Sequence, residues 1–139
     1  MIKNSRDFNA RIRKRLGPNA KRNVEIALQS AADLVRNEAV TSIVQNSRSG
    51  PTVKRRGISM KISAAGDPPA SDTGFLASQI SAEVDMSLTG GEAVVKSAAP
   101  YSIPLEFGTV HMAARPFMQP ALHKSKNKIK EMFKRQGII

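Results

Sequence analysis

Residues 80–98 read Ile80-Ser81-Ala82-Glu83-Val84-Asp85-Met86-Ser87-Leu88-Thr89-Gly90-Gly91-Glu92-Ala93-Val94-Val95-Lys96-Ser97-Ala98. Ile80, Ala82, Val84, Met86 and Leu88 alternate with polar neighbours. A period of two sends one face of a strand into a core and leaves the other in water. Thr89-Gly90-Gly91-Glu92 supplies the turn chemistry of a hairpin, and residues 93–98 return as the partner strand. The stretch predicts an antiparallel sheet, and the rest of the chain is read by what it can lay against that sheet.

Upstream, Asp72-Thr73-Gly74-Phe75-Leu76 predicts a capped helical turn leading into the first strand. Residues 46–72 are rich in Ser, Gly, Pro, Arg and Lys, the composition of a long flexible loop or arm. Ile58, Met60 and Ile62 alternate within it and predict a brief strand or β-arm. Before the arm, Asn19 is placed to cap a long helix running to about Gln45. At 100° per residue from Val24, the side chains of Ala27, Leu28, Ala31, Leu34, Val35 and Ala39 share a core face. Ile26, Val40 and Val44 fall on the opposite side, where a tail, a loop or a neighbouring subunit would cover them; they are the candidate subunit interface. Residues 5–16 space Phe8, Ile12 and Leu16 four apart behind Ser5, predicting a short basic helical segment within residues 1–19.

Downstream, Pro100 is placed to open a short helix over residues 101–107, closed by Gly108. Residues 109–113 suggest a third strand. A last helix is expected from about Gln119-Pro120, with Leu122, Ile129 and Phe133 as its apolar stripe opposite Lys124, Lys128, Lys130, Lys134 and Arg135. The expectation is an α+β fold: one long helix and a C-terminal helix packed on a small antiparallel sheet, with a long flexible arm.

A chain of 139 residues suits a single domain, 1–139, with one modest core. It has no Cys, which excludes disulfides, thiolate catalysis and Cys-ligated metals. No run approaches the roughly 18 apolar residues of a spanning helix, so no membrane is expected. The polar first 16 residues lack the apolar region of a signal peptide. The net charge of +11 is concentrated at the ends. Residues 1–22 hold eight basic groups and one acidic group, residues 123–139 six and one, and the middle is close to neutral. Cationic ends favour an anionic partner surface or serve only as a solvated face.

Chemistry-bearing patterns are scarce. His111 and His123 have no carboxylate three or four residues away. Neither has the spacing of a metal ligand or an acid–base pair, and no cofactor is expected. Glu83 and Asp85 share the wet face of the strand. No phosphate loop or nucleophile elbow occurs. Lys54-Arg55-Arg56 in the arm would neutralise phosphates without reading sequence, and it lacks the interleaved aromatics of a single-strand binder. A small basic non-specific nucleic-acid-binding protein is the alternative reading of this charge.

Two stretches carry a resemblance. The first is Gly66-Asp67-Pro68-Pro69-Ala70-Ser71-Asp72-Thr73-Gly74-Phe75-Leu76. The second is Ala99-Pro100-Tyr101-Ser102-Ile103-Pro104-Leu105-Glu106-Phe107-Gly108-Thr109, continued by Met112-Ala113-Ala114-Arg115-Pro116-Phe117-Met118-Gln119-Pro120-Ala121-Leu122. In this order they resemble the tail-completion or head–tail joining (neck) protein family of long-tailed double-stranded DNA phages and prophages. The likeness covers about residues 20–136.

The resemblance implies a non-enzymatic structural virion protein that joins the head–connector complex to the tail tube. It would assemble in the host cytoplasm and reside in the virion neck. Its implied partners are copies of itself in a ring, such as a hexamer, together with neighbouring connector and tail-tube or tail-terminator proteins. Lys54, Arg55 and Arg56 would face packaged DNA or a neighbouring subunit without sequence reading. The motif residues Tyr101, Leu105, Glu106, Phe107, Gly108, Thr109, Arg115, Pro116, Phe117, Pro120, Ala121 and Leu122 are expected to be structural. Among them Gly108 would end a helix, Pro116 and Pro120 would fix a turn and a helix start, and Phe107, Phe117 and Leu122 would pack. Glu106 would cap a helix or pair with Arg115.

Overall fold

The structure, a computed structural model, describes residues 10–11, 19–46, 50–70, 74–88 and 90–138. The expected helix over residues 5–16 lies outside them, save Ala10 and Arg11. Helix α1 spans Ala20–Val44, β1 Thr52–Arg55, β2 Ile58–Lys61, α2 Phe75–Ser78, β3 Ile80–Met86, β4 Gly91–Ser97, α3 Ser102–Phe107 and α4 Met118–Arg135. The fold is α+β. The strands form two separate antiparallel pairs, β1–β2 and β3–β4. Helix α1 packs against both β3 and β4 and against α4.

The buried residues of α1 include Ala27, Ala31, Val35, Ala39 and Ile43. They recur every fourth residue, so the ridge turns about 40° per step around the helix instead of holding one heading. That drift brings Ile43 into the core and leaves Leu28 and Leu34 only half-buried, a correction to the expected face. Three of the five positions are alanine, which lets the sheet and α4 approach α1 closely. Asn19 occupies the N-cap position, but its side chain makes no capping hydrogen bond. At the other end the Gln45 N–H donates to the Thr41 carbonyl at 2.9 Å. Across the core, the Arg36 Nε–H donates to the Ile80 carbonyl at 3.0 Å and fixes the height of β3 on α1.

In β3–β4, Ile80 pairs with Ser97 and Met86 with Gly91. The chain therefore reverses between Met86 and Gly91, with the Ser87 N–H donating to the Gly90 carbonyl at 2.7 Å. Gly91 belongs to the strand, not to the turn as expected. Leu88 accordingly leaves the alternation and stands on the turn, 95% exposed. The expected third strand is absent among the described residues. Thr109 and Met112 instead exchange backbone hydrogen bonds with each other, at 2.8 and 3.3 Å, so that segment satisfies itself in a tight reversal.

The expected β-arm is the β1–β2 hairpin. Its two-residue turn, Arg56-Gly57, has φ of 51° and 80°. Positive φ at both central residues is what a type I′ turn requires. The hairpin base is tied down: the Gly50 N–H donates to the Ile62 carbonyl and the Ile62 N–H to the Pro51 carbonyl, at 2.9 and 3.1 Å. Further on, the Gly66 N–H reaches the Ala114 carbonyl at 2.9 Å, and the Asn46 amide donates to the Pro68 carbonyl. Gly74, in the left-handed region, precedes α2 without a side-chain cap; Asp72 and Thr73 lie outside the described residues.

Candidate functional site

The second motif stretch folds into one unit, α3–reversal–α4, built around the Glu106 carboxylate. Helix α3 is only six residues long, and Pro104 sits in its first turn, where no intrahelical donor is needed. The Gly108 N–H closes the helix on the Pro104 carbonyl at 2.8 Å. Gly108 has φ of 76°, and a Cβ there would lie 2.8 Å from the Ala114 backbone nitrogen and 3.0 Å from the Met112 carbonyl oxygen. Both the conformation and the space demand glycine.

The reversal brings Glu106 to the start of α4. Its Oε2 accepts from the Phe117 N–H at 2.9 Å and the Met118 N–H at 3.1 Å, and its Oε1 from the Gln119 N–H at 2.9 Å. The next residue is Pro120, which has no N–H. A helix start leaves four backbone donors without intrahelical partners. Here one carboxylate takes three, and the proline removes the fourth. The negative charge also sits at the positive end of the helix dipole. Of the two roles expected for Glu106, the cap is the one observed. Arg115 forms no ion pair with it, and the Arg115 Nε is shielded from solvent with no hydrogen-bond partner among the described residues.

Of the three motif residues expected to pack, only Phe117 does, at 1% exposed, joined in the core by Ala121. Phe107 is 74% and Leu122 54% exposed. Helix α4 turns Ala121, Ser125 and Ile129 inward instead, a stripe of step four like that of α1. Phe107 and Leu122 lie with Ile103 and Val94 along an open groove of about 690 Å3 between β4, α3 and α4. Its floor is Val35, Phe117, Met118 and Ile129. Exposed apolar residues gathered over a groove mark a contact surface more often than scattered ones do.

Of the candidate interface on α1, Val40 packs against the core cluster, whereas Ile26 and Val44 are exposed. Eighteen residues separate those two, about 27 Å along the helix, so they form no single patch. Lys54, Arg55 and Arg56 are all exposed at the far end of the β1–β2 hairpin. Tyr101 contacts Phe75 with ring centroids 6.1 Å apart. The Thr109 hydroxyl accepts from the His111 N–H at 3.2 Å. Leu105 and Pro116 are half-buried, and the Leu105 carbonyl accepts from the Arg115 N–H at 2.6 Å.

A second cavity, of about 480 Å3, lies where the β1–β2 hairpin meets α2 and α3, with Arg55, Lys61 and Arg115 in its lining. Among the described residues, no three His, Asp or Glu side chains gather as metal ligands do, and no helix is long and apolar enough to cross a membrane. The chain matches no protein-family model, no curated protein and no solved structure.

Sequence reasoning missed both cavities, because each is lined by elements far apart in the chain. The groove had one signal. Ile103 and Phe107 stand four apart on a short helix already anchored through Leu105, so they share a side that the anchor does not cover.

Proposed function

We propose that this chain is a structural virion protein of a tailed phage or prophage, acting without catalysis at the neck to join the head–connector complex to the tail tube. The observation that carries the reading is the surface position of Phe107 and Leu122. Both belong to the stretch that resembles the neck family. They stand over an apolar groove beside a helix start closed by Glu106 and Pro120. A protein that works by being gripped between neighbours needs a rigid frame carrying apolar contact surface. A single-strand binder would set its exposed aromatics among its basic residues, whereas Phe107 and Leu122 line a groove to which Lys54, Arg55 and Arg56 do not contribute.

The basic hairpin turn at Lys54, Arg55 and Arg56 fits incidental contact with packaged DNA or an acidic neighbour. Labelling with an antibody raised against the chain tests the reading. Gold should mark the junction between head and tail of particles from the element that encodes it. Particles free of the chain, or a chain found only with cellular nucleic acid, would contradict it. A salt titration of DNA binding separates the alternative: a dedicated binder shows tight binding with a steep salt slope, and a neck protein only weak binding.

A further inference from the structure

The cavity where the β1–β2 hairpin meets α2 and α3 combines three cations with an apolar wall. Arg55, Lys61 and Arg115 line it together with Leu76, Tyr101 and Met112. Among the described residues no Asp or Glu lines it. Arg115 lines it although its Nε is shielded from solvent, so the side chain can offer only its remaining guanidinium N–H groups to the open space. The cavity is therefore suited to an apolar group flanked by carboxylates. Nucleic-acid phosphate would meet its charge and leave its apolar wall unused.

That combination exists at the other end of the same chain. In the β3–β4 register Asp85 lies directly opposite Glu92. Both are exposed, and neither has a cation within ion-pair distance among the described residues. Directly opposed like charges destabilise a strand pair, so this hairpin carries a cost that an external cation would relieve. Between them the turn holds Leu88 out in water, 95% exposed.

We propose that the β3–β4 tip of one copy inserts Leu88 into this cavity on a second copy, with Asp85 and Glu92 meeting Arg55, Lys61 and Arg115. A tip cannot reach the cavity of its own chain. Gly91 lies against Leu28, in the first half of α1. The wall residue Leu76 clusters with Ile43, about 22 Å further along the helix at 1.5 Å per residue. Tip and cavity thus lie toward opposite ends of α1, and a tip seated in a second copy's cavity joins two different surfaces. Repeated from copy to copy, such a contact builds a closed ring or an open filament. The inference rests on the neck reading only for the expectation that copies of the chain meet.

Sedimentation velocity at about 20 mM and about 500 mM salt tests it, because a contact made by charges weakens as they are screened. The wild type should associate at low salt and dissociate at high salt. Leu88→Ser cannot unfold the domain from so exposed a site, and it should weaken association about tenfold or more, the effect of withdrawing one buried leucine. Asp85→Lys/Glu92→Lys and Arg55→Glu/Lys61→Glu, each checked for folding by circular dichroism, should be monomeric alone and associate when mixed. A wild type that stays monomeric at low salt overturns the proposal. So does association untouched by Leu88→Ser, or a mixture of the two reversed variants that fails to assemble. None of these three results moves the antibody label at the neck, so the pairing can fail while the neck reading stands.

Discussion

Replacing Glu106 by alanine should destabilise the domain strongly although the residue is half-exposed. The carboxylate accepts three backbone N–H bonds, from Phe117, Met118 and Gln119. A hydrogen bond to a charged group contributes about 1.5–3 kcal/mol when buried, and a lost helix cap typically costs about 1 kcal/mol. The Gln119 bond is exposed and the other two are part-buried, so water replaces part of what is lost. A total of about 2–4 kcal/mol follows. For a chain of this size each kcal/mol moves the thermal midpoint by roughly 3–4 °C, giving a fall of about 7–14 °C.

Glu106→Gln retains one acceptor oxygen but turns an amide donor toward the helix N–H groups, so it should fall between the two, with a loss of about 1–2 kcal/mol. Hydrogen exchange should locate the effect in the first turn of α4 before the rest of the fold. An alanine variant within about 1 kcal/mol of wild type would refute the capping argument. Equal losses for Gln and Ala would show that the charge, rather than the number of acceptors, does the holding.

Three further outcomes are expected. Gly108→Ala forces an L-residue to φ of 76° with its Cβ 2.8 Å from a backbone nitrogen; it should cost about 2–3 kcal/mol in denaturant unfolding. Arg56→Asn puts a residue tolerant of left-handed φ into the β1–β2 turn and should stabilise by about 1 kcal/mol, read as a rise in thermal midpoint. Val44→Asp, at a position 58% exposed, should change stability by less than about 0.5 kcal/mol, whereas Val35→Asp buries an unpaired charge and should unfold the domain by circular dichroism.

Much of the scaffold is legible in the amino-acid order. The long helix ends at Val44, one residue before the expected Gln45, because Ala20–Val44 is an unbroken run of residues that helices accept, bounded by Gly17-Pro18 and the Ser/Gly/Pro-rich arm. Ile80–Met86 follows its period of two closely enough to identify the strand without help. The departures have a common cause. Leu88, Phe107 and Leu122 are apolar and in phase with an apolar pattern, and periodicity alone assigns them to the core. Register decides otherwise: pairing Met86 with Gly91 strands Leu88 on the turn, and the inward stripe of α4 is set by Ala121 and Ser125. Small residues permit the closest approach to α1, so a helix turns those inward and leaves its leucine outside. The capping role of Glu106 was one of two alternatives in the sequence, since Arg115 offered an equally plausible charge partner. Only the tight reversal through Gly108 and Thr109 selects between them. One cavity joins residues as far apart as Arg55 and Arg115 and the other residues as far apart as Ala31 and Ile129, separations over which no local pattern reports.

The central claim, that the chain joins head to tail, is tested most directly by electron microscopy of particles made after deletion of its gene. The account predicts DNA-filled heads and complete tails lying apart, with joined particles restored when the gene is supplied on a plasmid. Intact, infectious particles in the deletion strain would contradict it.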